Sequence, residues 1–458
     1  MEKKNNTVSM TEGSPLKLIL QFAFPLLLGN LFQQTYNIVA AAIVGQFLGA
    51  NALAGVGASS SVQFLILGFC IGICAGFAIP IAQRFGAGDM RSLRKYIFHG
   101  VLLTVAFAVI LTVACSLLCH GILRLLSTPE DIYSDAYIYL LVIFLGIPFT
   151  LLYNLTAGIL RAIGDSRTPF IFLAVSTVAN IGLDIFCITV LKWGCMGAAV
   201  ATVASQAVSG ILCMIFILQK MKFILPGKED TRIRSSYVTS LLSMGLPMGM
   251  QYSITAIGSM VMQSANNSLG SVYVSGFTAG MKIKQFTMCP FDALSTAVST
   301  FCGQNYGAGN VRRIRQGVRL GILIGILYGI LSGLVLIFFG RTMSLLFVSA
   351  DSTAVLDASA QYLRALGFFY WSLGILNVCR MTTQGLGFSS LTIFSGLSEM
   401  VARILMSILA VPAFGYAAIC FTDQSAWLSG CLYMMPVCFI CISRIEKRLK
   451  LKSSDLPA

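Results

Sequence analysis

Charge is scarce in this chain. Asp, Glu, Lys and Arg make up 10% of its 458 residues, where soluble domains carry roughly 25%. Histidine is scarcer still: there are only His99 and His120, which form no ligand cluster, so no metal site is expected. The chain has no H-E-x-x-H, no G-x-S-x-G, no P-loop and no acid–His constellation. Those absences argue against an enzyme and against nucleotide-driven work, so any work must draw on a gradient, and no cofactor is expected. No small-residue cleavage site follows the first apolar stretch, so no removable signal is expected. The single C-x-x-C, Cys438 and Cys441, lies in an apolar run without a second pair, which reads as buried thiols rather than zinc ligands.

What is present is apolar: 57% of residues are hydrophobic, in runs long enough to cross a bilayer as helices. Backbone polar groups in lipid must be satisfied internally, and the runs lack the alternation of a barrel, so helices are chosen. Twelve spans are expected, near 17–45, 52–83, 96–119, 133–158, 169–191, 195–219, 237–267, 273–304, 316–340, 356–380, 389–413 and 423–443. Pro25, Pro148, Pro247 and Pro290 are candidate kinks.

The net charge of +14 reads as loop charge that sets topology rather than as a nucleic-acid surface. Twenty-four basic residues, Arg380 among them, fall on the termini and even-to-odd loops; only Arg124, Lys192 and Arg341 fall on the opposite loops. This places a multi-pass protein in the cell (inner) membrane with both termini cytoplasmic.

A repeat links two loops. AQRFGAGDMRSLRK (82–95) matches GQNYGAGNVRRIRQ (303–316) at a constant offset of 221, and LRAIGDSRTP (160–169) faces the weaker TQGLGFSSLT (383–392). The expected fold is therefore all-α integral membrane, with twelve transmembrane helices in two parallel six-helix lobes around a central cleft. The division is an N-terminal tail over 1–16, a first lobe over 17–219, a linker over 220–236, a second lobe over 237–443 and a basic tail over 444–458. Parallel repeats of this kind rock to give alternating access. The chain is expected to act as a monomer on a small-molecule substrate.

One acid stands out. Asp184 and Asn180, in span five, are one turn apart and share a helix face. A carboxylate in hydrocarbon favours its neutral form unless a cation meets it, so one group can exchange H⁺ for Na⁺ or for a cationic substrate. The competing reading is a structural network between helices. In the second lobe, Glu399 and Arg403 lie four apart and are expected to pair with each other, or to serve a gating role. Lys284 is expected to snorkel or line water, and Lys282 and Asp292 to face the cleft. Gln33, Gln34, Asn37, Tyr153, Asn154, Gln251, Tyr252 and Gln285 complete a candidate adaptable substrate pocket.

The paired Q-x-x-G-A-G-x-x-R-type loops, LRAIGDSRTP, and NIGLDIFCI followed by GCMGAAVATVAS resemble the multidrug and toxic compound extrusion (MATE) family over residues 13 to 445. The resemblance implies a V-shaped antiporter in which Na⁺ or H⁺ entry drives export of organic, often cationic, drug-like compounds. It implies that Asn180, Asp184 and, from span six, Thr202 form the coupling site. The family often has a span-one acid in a Y-N-x-V-D pattern; here YNIVA puts Ala40 there. An engineered change, a branch using Asp184 alone and a coupling site elsewhere all fit. A flippase of a lipid-linked or bulky polar molecule is the alternative cargo reading.

Overall fold

Continuous apolar runs fold here as one long helix after another. The computed structural model describes residues 8–125 and 128–454. Of the two tails, residues 1–7, with Lys3 and Lys4, and residues 455–458 lie outside the described residues, as does the side chain of Lys452. The helices are α1 (Pro15–Leu48), α2 (Ala50–Gly86), α3 (Met90–Leu125), α4 (Glu130–Leu145), α5 (Ile147–Ala162), α6 (Arg167–Ile185), α7 (Gly194–Lys220), α8 (Ser235–Asn267), α9 (Ser271–Gly307), α10 (Val311–Ser344), α11 (Thr353–Gly385), α12 (Ser389–Leu405), α13 (Val411–Phe414) and α14 (Tyr416–Ser454). Among the described residues there is no strand.

Each expected span corresponds to one helix or one interrupted helix. Span four is α4 and α5, bent by 46°. The break has two causes. Pro148 sits in the first turn of α5 and has no N–H to continue the preceding helix. Gly146 gives room to α7, since a Cβ there would lie 2.3 Å from the Val203 side chain. Span five ends in a π turn, Phe186–Val190, and span eleven carries one, Met406–Ala410, before its last turn, α13. By length and apolarity, eight described helices qualify as membrane-crossing, or nine with the bent pair. The spans that fall short, α8, α9 and α11, are long enough but more polar; α9 and α11 hold buried Lys284, Gln304, Arg380 and Gln384.

The repeat is visible in backbone geometry. After α2, Ala87 N donates to Gln83 O (3.0 Å) and Gly88 N to Phe85 O (3.1 Å); after α9, Ala308 N donates to Gln304 O (3.0 Å) and Gly309 N to Tyr306 O (3.0 Å). Gly88 and Gly309 adopt φ of +70° and +72°, a left-handed conformation that only glycine takes without strain. The next helix is then capped alike, with Asp89 Oδ1 accepting from Ser92 N and Asn310 Oδ1 from Arg313 N. The weaker loop pair obeys the same rule: Gly164 and Gly387 both have φ of +89°, and Asp165 N to Leu160 O repeats as Phe388 N to Thr383 O.

The chain groups into two compact units. One holds Leu28–Gly249; the other holds Met10–Leu27 and the chain from Met250 on. The first half of α1 thus groups with the C-terminal helices, and the first part of α8 with the N-terminal helices. In the first unit, Gly245 and Gly249 let α8 lie against Phe77 and Phe69 of α2. In the second, Met10 N donates to Gln304 Oε1 (2.9 Å), and Asn305 Nδ2 and Arg313 Nη2 both donate to Met10 O (3.0 Å). Within that unit α10 and α11 touch through glycine: a Cβ on Gly333 would lie 2.3 Å from Gly367 O, and one on Gly329 2.6 Å from Trp371 Cα.

Candidate functional site

Asp165 fixes the start of α6. Its Oδ1 accepts from Arg167 N (3.1 Å) and Thr168 N (3.0 Å), and its Oδ2 from Thr168 Oγ1 (2.6 Å). From that start, Asn180 and Asp184 fall on the face turned into the first unit, each 1% exposed. Helix α7 returns beside α6, and Asn180 ties the two together: its Nδ2 donates to Ala201 O (2.9 Å) and to Ser205 Oγ (2.8 Å). Ser205 was not anticipated from sequence. Helix α1 joins through Tyr36, whose hydroxyl shares a 2.8 Å hydrogen bond with Thr202 Oγ1. Ile43 and Val44 of α1 pack with Tyr139, Ile188 and Ala198. Ala40, one turn beyond Tyr36, contributes no polar atom to this network.

Three buried oxygens here have no hydrogen-bond partner: Asp184 Oδ1, Asp184 Oδ2 and Asn180 Oδ1. No described basic side chain pairs with the Asp184 carboxylate. Thr202 is committed elsewhere, bonding Tyr36 and donating to Ala198 O. The site therefore presents one desolvated carboxyl and one amide oxygen to whatever can satisfy them.

The second unit departs from expectation. Glu399 and Arg403 do not pair with each other. Arg380 Nη2 donates to Glu399 Oε1, which also accepts from Ser395 Oγ (3.2 Å). Arg403 Nε donates to Asp423 Oδ1 (3.3 Å). Neighbouring helices bring a partner to each residue, which displaces the weak i,i+4 contact. Arg380 is accordingly a buried residue inside α11 rather than a loop charge. Lys284 neither snorkels nor lines water: its Nζ donates to Asp423 Oδ2 (2.5 Å) and lies 5.5 Å from the Trp427 ring centroid. Tyr362 also donates to Asp423 Oδ2 (2.9 Å). Asp423 escapes the sequence reading because the expected span twelve starts at 423; α14 begins at Tyr416, which places Asp423 two turns inside.

The candidate pocket residues divide. Gln251 is buried and accepts from Gln384 Nε2 (2.9 Å), a structural tie rather than a free surface. Asn154 Nδ2 donates to Thr150 O of its own helix (2.8 Å). Gln34, Tyr153, Tyr252 and Lys282 are half-buried, whereas Gln33, Asn37, Gln285 and Asp292 are exposed. Asp292 accepts from Asn377 at 3.5 Å. No group of three or more His, Cys, Asp or Glu that could hold a metal exists among the described residues, and Cys438 and Cys441 are buried free thiols.

Known proteins share this plan. The family model described as MatE matches residues 25–186 and 247–409, one stretch in each half. The Bacillus subtilis "Probable multidrug resistance protein YpnP" is 34% identical over 80% of this chain and 81% of its own length. "Probable multidrug resistance protein YoeA" of the same organism is 30% identical over 72% and 73%. A solved structure, an outward-facing conformation of a multidrug resistance MATE family transporter of the MOP superfamily, superposes with a TM-score of 0.90. It is 21% identical, with 97% of this chain and all of that one covered. The class is thereby defined: a multi-pass helical membrane transporter with twelve transmembrane helices in repeated halves. The chain belongs to the MatE family, the multidrug and toxic compound extrusion transporters.

Proposed function

We propose that this chain is a proton-coupled exporter of small organic, amphipathic compounds, with Asp184 as the group that exchanges H⁺ for cargo. The observation that carries this reading is the buried Asp184 carboxyl with both oxygens unpartnered. A proton needs only that carboxyl. A hard cation such as Na⁺ collects several oxygens, and three are on offer, because Ala40 supplies none and Thr202 Oγ1 is engaged with Tyr36. The names of the relatives supply the cargo class. The basic loops support cytoplasmic termini in the cell membrane. Each polar network lies within one unit of one chain, which suits a monomer. A flippase reading would be favoured by free basic groups in span eight, and of Lys282 and Lys284 the latter is engaged by Asp423. Substrate flux in proteoliposomes with pH and Na⁺ gradients imposed separately tests the proposal: flux should follow the pH gradient, and flux that follows Na⁺ alone refutes the proton assignment.

A further inference from the structure

The two halves carry matching polar positions with different charge. Gly49 and Gly270, and Gly88 and Gly309, all at positive φ, hold α2 and α9 in register at an offset of 221, so Gln63 corresponds to Lys284. Gly194 and Gly415, with φ of +57° and +58°, hold α7 and α14 at the same offset, so Thr202 corresponds to Asp423. The Gly164–Gly387 register of 223 makes Tyr139 the counterpart of Tyr362. In the first unit Thr202 bonds Tyr36 and Ala198, and the Asp184 carboxyl has no partner. In the second, Lys284 and Tyr362 both bond Asp423. The first site has one acid and no base; the second has two bases on one acid.

That second cluster is out of balance. Lys284 and Arg403 share the single carboxylate of Asp423. Glu399, one turn before Arg403, is occupied by Arg380 and Ser395. Asp292, two turns along α9 from Lys284, is exposed and accepts from Asn377. Arg403 is 4% exposed, and its Nη1 donor has no partner. One turn further on, at the π turn, Ser407 is buried and its Oγ also has no partner. Buried donors of this kind require an acceptor, and a buried excess positive charge requires a counter-charge.

We propose that the second unit binds a monovalent anion of chloride size against Arg403 Nη1, with Ser407 Oγ as a second donor. The bound anion neutralises the Lys284–Asp423–Arg403 cluster. This inference does not depend on the Asp184 reading, and its test uses no transport.

The test is thermal unfolding of the purified full chain at constant ionic strength, titrating chloride or bromide against gluconate. Sodium and choline salts are compared so that cation effects separate. The expected result is a saturable rise in the unfolding midpoint with either halide under both cations. The rise is lost in Arg403→Gln, reduced in Ser407→Ala and retained in Asp184→Asn. Anomalous scattering from bromide in crystals of the unaltered protein provides a readout that does not require any variant to fold; a peak beside Arg403 Nη1 is expected. An anion-independent midpoint, a halide response undiminished in Arg403→Gln, or water alone at Arg403 in the bromide crystals each overturns the proposal.

Discussion

Replacing Asp184 by Asn removes the one ionisable atom pair of the first-unit site while keeping its shape. Neither carboxyl oxygen accepts a hydrogen bond, and the residue is 1% exposed, so no tie between helices is cut. An unpaired carboxylate in this position is costly, and Asn relieves that cost, so the thermal midpoint of the variant should not fall. Transport should respond very differently. One proton moving down a membrane potential of about 100 mV supplies about 2.3 kcal/mol. With about 1.4 kcal/mol per factor of ten, that supports a gradient of roughly 40-fold for an uncharged substrate; one-for-one exchange with a monocation moves no net charge and draws on the pH gradient alone. Asp184→Asn should collapse this ratio to one, leaving at most downhill exchange. The assay is substrate accumulation in proteoliposomes under an imposed pH gradient and potential, with folding checked by size-exclusion profile and melting. Accumulation at the unaltered level by a folded Asp184→Asn protein would falsify the role given to this residue.

Further outcomes follow from other sites. Ala40→Asp, one turn from Tyr36, adds carboxylate oxygens beside α6 and α7 and should introduce or strengthen Na⁺ dependence of flux; an unchanged ion profile places Ala40 outside the site. Asp423→Asn removes the buried carboxylate that Lys284 and Arg403 share and should destabilise the protein by about 3–5 kcal/mol. Lys284→Met leaves an Arg403–Asp423 pair and should cost clearly less, and comparing the two by denaturation checks the order. Gly309→Ala forces a side chain into φ of +72° and should cost about 1–2 kcal/mol. Gly57→Ala, in helix α2 with open space around it, should be neutral or stabilising by up to about 1 kcal/mol. Equal effects of the two glycine changes would count against the turn geometry.

Much of the fold was legible because lipid simplifies the rules. A run of apolar residues must be helical, so span positions follow from composition, and the glycine loops exposed the repeat because their backbone demands are local. Asn180 and Asp184 were legible for a similar reason: their spacing sets their shared face whatever surrounds them. The second unit was less so. Glu399 and Arg403 satisfy the same spacing rule, yet Arg380 and Asp423, distant in sequence, approach from other helices and win. Arg380 resembled a loop charge because hydropathy drops near it, and the drop instead marks a buried ion pair. Asp423 was hidden by a span boundary misplaced by seven residues, an error that matters only because its partners, Lys284, Tyr362 and Arg403, come from three other helices. Which helix touches which is a tertiary fact, and i,i+4 spacing carries none of it.

The glycine contacts between α10 and α11 have a mechanical consequence. Backbone meets backbone at Gly333 and Gly367 and again at Gly329 and Trp371, so a one-residue slip of either helix would drive a side chain into main-chain atoms. The two helices are keyed together like a tongue in a slot, and shear between them is blocked. They must travel as a single beam.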